Sequence, residues 1–202
     1  MVQFPSNLQV PVRVGIIGPQ NVGKTALANL LVGHLKTLGV SCDLVNEVSR
    51  SSPLPLHSQT SAESSYWLFG SQVAAEALAQ AVRDVTICDR TVLDLYPFAQ
   101  HALISDMPNA QARQQNAHKL AGLRQLITDY IDANPYQFLF YVPAHHEFLS
   151  TPLSPEGVAY QNEIDTKFRA FLDELSVRVR ELRTLSTYDR LNEALRHLQG
   201  QI

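Results

Sequence analysis

Residues 18–25 read Gly-Pro-Gln-Asn-Val-Gly-Lys-Thr. Glycines in such an octet let the backbone curl until successive N–H groups point inward, where phosphate oxygens can accept from them. The apolar, β-branched run Val12–Ile17 precedes the octet and the amphipathic run Ala26–Leu35 follows it. The loop therefore lies between a buried strand and a helix, whose positive N-terminus favours an anion. Gly18, Pro19, Gln20, Asn21, Val22, Gly23, Lys24, Thr25 and Ala26 are expected to wrap a nucleotide's phosphates. Lys24 is placed to reach the β- and γ-phosphates, and the Thr25 hydroxyl to ligate Mg²⁺.

The use made of the phosphate depends on what stands beside the loop. Small GTPases share "NVGKT" but need an Asp-x-x-Gly after the Mg²⁺-side strand and an Asn-Lys-x-Asp to read guanine. Here the corresponding strand runs into "DRTVLD", and no Asn-Lys-x-Asp occurs, which disfavours a regulatory GTPase. Asp89 falls at the tip of the strand "VTIC", where a carboxylate contacts Mg²⁺ directly or through its shell. Arg90 follows it, a guanidinium suited to clamp a phosphate or an acceptor. Glu47 comes just after the strand "SCDLVN", at the same sheet edge, and is expected to take a proton from an attacking hydroxyl. Arg50 is a candidate to orient it or to bind a phosphate. Gln72, downstream of Tyr66, Trp67 and Phe69, is a candidate to pair with a base or carboxamide; core packing explains those aromatics equally well. His145-His146-Glu147 reads as a polar loop, since adjacent side chains diverge and no third ligand is placed.

These groups need elements to hold them. Strands are expected at 12–17, 41–46, 85–88, 137–142 and 182–186. Helices are expected from Leu27 to Gly39, over about 60–83, 92–104 and 112–132, around Ile164–Leu175, and from Asp189 as N-cap. On the 60–83 helix, Tyr66, Gly70, Val73, Ala77 and Ala81 share one face, and Phe69, Gln72 and Glu76 another. Alternating strands and helices imply an α/β fold with a parallel sheet and right-handed crossovers. The 202 residues, 45% hydrophobic, fit one domain, with a lid at about 143–160. Net charge is −3, which argues against a broad nucleic-acid surface. Cys42 and Cys88 read as buried free thiols. The first residues lack the pattern of a signal peptide, no run is long enough to span a membrane, and a cytoplasmic protein is expected. Helix-face patterns leave the oligomeric state open.

In order, "GPQNVGKT", "NEVSR", "YWLFGSQ" and "ICDRTVLDLYPFA" resemble the P-loop, AAA-type ATPases related to the nicotinamide-riboside kinase domain of bacterial NAD regulators. More distantly they are similar to nucleoside and nucleotide kinases. The resemblance implies a P-loop NTPase fold: a five-stranded parallel sheet sandwiched by helices, with a lid. It implies ATP and Mg²⁺ as cofactors and a nucleoside-like small-molecule acceptor. It places Glu47 as general base, Asp89, Arg90 and Thr91 at the metal and acceptor, Gln72 near a base, and Ser186, Thr187 and Tyr188 near adenine. Relatives often carry Asp/Glu-Gly-x-Arg in the lid, whereas this chain reads Glu156-Gly157-Val158-Ala159, and its next basic residues are Lys167 and Arg169. That departure sustains a second reading, an ATPase or nucleotide sensor acting through a protein partner.

Overall fold

Val12, Val14 and Ile16 alternate with Arg13, Gly15 and Ile17, and all six are buried. Side chains on both faces of a strand are covered only in the middle of a helix-sandwiched sheet. The computed structural model, which describes residues 11–56, 59–105, 109–144, 153–184 and 186–199, shows that arrangement. Its strands are β1 (Val12–Ile17), β2 (Cys42–Val45), β3 (Val85–Asp89), β4 (Phe138–Tyr141) and β5 (Arg180–Glu181). They form one sheet in the order β2-β3-β1-β4-β5, and all pairings are parallel.

The helices are α1 (Lys24–Thr37), α2 (Ala62–Gln80), α3 (Val92–Gln100), α4 (Ala110–Ala133), α5 (Pro155–Glu174) and α6 (Thr187–Leu198). Val12, Val14, Ile16 and Phe140 pack with Leu27, Leu31, Leu35, Ala194 and Leu198 beneath α1 and α6. Ile17, Leu139 and Tyr141 pack on the opposite face with Leu93, Leu123, Ile127 and Phe168, from α3, α4 and α5. The sheet is thus covered on both faces, as expected of a P-loop kinase-like α/β fold. Cys42 and Cys88 are free and buried.

The departures lie at element ends. The fifth strand is two residues long and begins at Arg180, not 182; its Tyr141–Glu181 pairing outweighs the apolar pattern of "LRTLS". The last helix is capped by Ser186, whose hydroxyl accepts from the Asp189 N–H, so Asp189 lies within the first turn. α3 ends at Gln100 and gives way to a wide π turn over His101–Ser105. α5 begins at Pro155, with Ser154 as N-cap, so residues 155–160 of the anticipated lid are helical. Residues 145–152, with His145, His146 and Glu147, lie outside the described residues, as do residues 1–10 of the N-terminal stretch. On α2 the buried line runs through Leu68, Gln72 and Glu76. Among the described residues no helix is long and apolar enough to cross a membrane.

Candidate active site

Among the described residues, five of the six α-helices begin with a side-chain cap: Ser61, Thr91, Asn109, Ser154 and Ser186 each accept from an N–H of the first turn. α1 does not. Its N-cap is Gly23, which has no side chain to offer, and its first turn holds no acidic residue. The leading N–H groups of α1 are therefore left for an external anion. The loop before it is bent as that role requires. Gly18 has φ +138°, and a Cβ there would sit 2.2 Å from the Val142 carbonyl oxygen, so the backbone just past β4 excludes any side chain. Gly23 has φ +87° and Asn21 φ 60°, the latter a residue that tolerates left-handed backbone.

Lys24 is buried and its ammonium curls back over the loop, donating to the Gly18 carbonyl at 2.9 Å and to that of Pro19. Burial and the Arg90 charge push it down to about 7, against the pull of Asp94, Asp89 and Glu47. Thr25 Oγ1 donates to Asp89 Oδ2 at 2.6 Å, bringing the two expected metal contacts side by side. Hydroxyl plus carboxylate suits Mg²⁺, which takes few protein ligands and fills its shell with water and phosphate oxygens. Among the described residues no group of three His, Cys, Asp or Glu side chains forms a self-sufficient metal cage. The donor set thus fits a nucleotide-borne Mg²⁺.

Glu47 and Arg90 meet at the adjoining edge. Arg90 Nε donates to Glu47 Oε1 at 2.5 Å, and Arg50 Nε donates to Glu47 Oε2 at 3.1 Å. Burial pushes the Glu47 carboxyl up, but Arg90 and hydrogen bonds from Arg50 and Ser49 outweigh it and hold the group below its ordinary value. Arg90 also lies over the Phe98 ring, 5.0 Å from its centroid. Its backbone is left-handed, φ 81°, a strain of order 1–3 kcal/mol for a non-glycine residue. Thr25, Glu47, Arg50 and Asp89 line a cavity of about 670 Å³, together with Val48 and Leu78.

Gln72 does not face that cavity. It is 1% exposed, and its amide nitrogen is engaged with Glu76 and the Arg90 carbonyl, so it braces the core rather than presenting an amide to a ligand. Two of the aromatics before it meet α4: Tyr66 donates to the Lys119 carbonyl, and Phe69 meets Tyr130 edge-on. Ala159, where relatives carry a lid arginine, is exposed. Lys167 pairs with Glu163, and Arg169 with Asp165 and Glu181. Ser186, Thr187 and Tyr188 open α6, with Tyr188 exposed.

Three residues at the site escaped the sequence reading. Asp94 is buried, and burial raises it to about 6 against Arg90, Lys24 and hydrogen bonds from Thr91. One of its oxygens caps α3 through the Thr91 N–H; the other has no hydrogen-bond partner and lies 3.5 Å from Arg90 Nη1. The Thr-x-x-Asp capping pattern in "DRTVLD" was the available signal. Gln161, on α5, donates to the Gln20 carbonyl at 2.5 Å and ties the lid-side helix to the phosphate loop. Arg190, 4% exposed, donates to the Val22 and Thr184 carbonyls at 2.7 Å each. Burial lowers its pKa, and no motif marks it. Arg190→Met should release the Val22 carbonyl and weaken nucleotide binding by roughly tenfold, the scale of a lost charged hydrogen bond. Titration calorimetry with ATP·Mg²⁺ reads this; unchanged affinity would limit Arg190 to core packing.

A family model described as AAA domain matches residues 13–190. The chain belongs to that family. No curated protein matches the sequence significantly. Among solved structures, NadR protein in complex with NR superposes with a TM-score of 0.71 at 15% identity, over 95% of this chain and 52% of that one. The chain therefore spans about half the length of NadR. Deoxyadenosine kinase from M. mycoides, with dCMP and a flexible dCDP bound, gives 0.61 at 13% identity, covering 95% of this chain and 100% of that one. Thymidylate kinase from Candida albicans gives 0.63 at 13% identity, covering 94% and 91% respectively. At these identities the likeness is one of fold.

Proposed function

We propose that this protein binds ATP with Mg²⁺ and transfers the γ-phosphoryl group to a hydroxyl of a nucleoside-like small molecule. The observation that carries this reading is the convergence of two sets of groups at one sheet edge. Thr25 and Asp89, next to Lys24 in the phosphate loop, and Glu47, held by Arg90, line one cavity; the first set is read as the phosphate side and the second as the acceptor side. The loop N–H groups and Lys24 hold the phosphates, and Thr25 and Asp89 hold the metal ion, which supplies charge neutralisation when bound. The Glu47 carboxylate, ionised at neutral pH, accepts the proton of the acceptor hydroxyl. That oxygen bonds to the γ-phosphorus as the bond to the β-phosphate oxygen breaks, releasing ADP. Arg90 orients Glu47 and neutralises charge beside it. Residues 143–160, entering α5, serve as the lid in this reading, excluding water.

The test is ADP release with Mg²⁺ and ATP across a panel of nucleosides, nicotinamide riboside and nucleoside monophosphates. One acceptor should raise turnover saturably and yield a phosphorylated product. Glu47→Gln should cut that stimulated rate by roughly a hundredfold or more, the usual contribution of a positioned base. Turnover independent of every acceptor, and equal in Glu47→Gln, would sink the kinase reading. A specific observation supports the alternative of an ATPase or sensor with a protein partner. Among the described residues of the lid side, Ala159 is neutral, and Lys167 and Arg169 are paired with carboxylates. An arginine supplied from outside would complete such a site.

A further inference from the structure

Glu76 lies in the middle of α2, fully buried, at the opposite end of Gln72 from the candidate site. Its carboxylate accepts four hydrogen bonds. Oε2 takes one from Arg13 Nη1 at 2.7 Å and one from the Tyr130 hydroxyl at 3.0 Å. Oε1 takes one from Gln72 Nε2 at 2.9 Å and one from the Tyr136 hydroxyl at 2.8 Å. Those two last donors do not stop there. Gln72 Nε2 has a second hydrogen, which goes to the Arg90 carbonyl at 3.2 Å. The Tyr136 hydroxyl, its proton spent on Glu76, presents a lone pair to the Val92 N–H at 3.4 Å.

One carboxylate therefore sets the direction of two groups that grip both ends of the turn Arg90-Thr91-Val92. A carboxylate only accepts, so both neighbours must donate to it. This fixes which hydrogen of Gln72, and which lone pair of Tyr136, is left for the turn. Within the grip Arg90 is left-handed, and that conformation carries its side chain to Glu47 and over Phe98. A strained residue persists only where its surroundings over-determine it.

We infer that Gln72 and Tyr136, both aimed by Glu76, are positioning residues that hold the Arg90 turn in its left-handed form and so keep the Arg90 guanidinium on Glu47. The inference rests on the reading of Arg90 and Glu47 as the acceptor side only for its kinetic consequence. Its structural consequence stands apart from that reading, and the test uses both.

In the 202-residue chain the Arg90 Nε–H resonance, assigned by its loss in Arg90→Lys, is followed by NMR. Its exchange with water is measured in wild type, Gln72→Met and Tyr136→Phe. Tyr136→Phe removes one oxygen and keeps the ring on Arg13, so it reports even if Gln72→Met does not fold. Each variant should speed Nε–H exchange roughly five- to tenfold, the equivalent of one lost hydrogen bond. The double variant should add little beyond the larger single effect, because both act on one turn. If the wild type shows acceptor-dependent turnover, Tyr136→Phe should lower kcat for that reaction and leave the Kd for ATP unchanged. Faster exchange in a protein without acceptor-dependent turnover would uphold the positioning and count against the kinase reading alone. Unchanged exchange in folded Tyr136→Phe and Gln72→Met would overturn the inference.

Discussion

Lys24→Ala should weaken ATP·Mg²⁺ binding by roughly thirtyfold to several thousandfold, the 2–5 kcal/mol scale of truncating one partner of a desolvated charge pair. The side chain is buried within the loop and already saturates two loop carbonyls, so its removal deletes a charge and strands two acceptors. Calorimetric titration decides it: an affinity within threefold of wild type would mean that the loop does not cradle phosphate. The same residue gives a pH signature. Its ammonium titrates at about 7 in the free protein, held down by burial and by Arg90. Bound phosphates favour the charged form. Above pH 7, binding must therefore take up a proton, and affinity should fall by up to about tenfold per pH unit.

Stability responds with the opposite sign. Between about 7 and 10.5 the unfolded chain holds a proton on Lys24 that the folded chain has released. The contribution of this group therefore rises with pH across that window and is lost as pH falls through 7. Asp94 acts on the acid side. Burial raises it from 3.8 to about 6, so the folded state keeps a proton that the unfolded state gives up. Its contribution is full below 3.8 and declines as pH rises through 6. Thermal unfolding from pH 4 to 9, in wild type and Asp94→Asn, separates the two groups: the variant should lose the acid-side decline and keep the rise above 7.

The second large effect needs no assumption about function. Glu76→Leu leaves Arg13, 1% exposed, buried among Tyr130 and Tyr136 without a carboxylate. Breaking one half of a buried pair costs about 3–5 kcal/mol, which for a chain of this size lowers Tm by roughly 6–20 °C. The double variant Arg13→Met/Glu76→Leu should recover part of that loss, since it removes the unpaired buried charge but leaves the Tyr136 and Gln72 donors without their acceptor. Urea unfolding of the four species gives the cycle directly. A Glu76→Leu loss below about 1 kcal/mol would show that Arg13 finds water or another partner.

The sequence by itself determined the parts of this protein whose physics is local. A short run rich in β-branched residues makes a buried strand, and Val12–Ile17 has the bounds expected of it. A glycine-flanked loop with Lys24 and Thr25 can curl in one useful way, and the strand–helix context identified it. Carboxylates at strand tips converge because parallel strands share a C-terminal edge, and Glu47 and Asp89 lie at that edge as their places in the sequence imply. Tertiary structure decided what depends on residues far apart in sequence. The fifth strand is placed by pairing with β4, which local apolarity does not encode. Arg13 and Glu76 are charged residues in an apolar strand and an alanine-rich helix, and 63 positions separate them. Their burial is tolerable only because the fold brings Tyr130 and Tyr136 to the same point. Gln72 looked like a ligand-reading amide because its type and helix permit it. It is a brace because packing left it beside one carboxylate and one backbone carbonyl, and a side-chain hydrogen bond is set by three-dimensional neighbours rather than by composition.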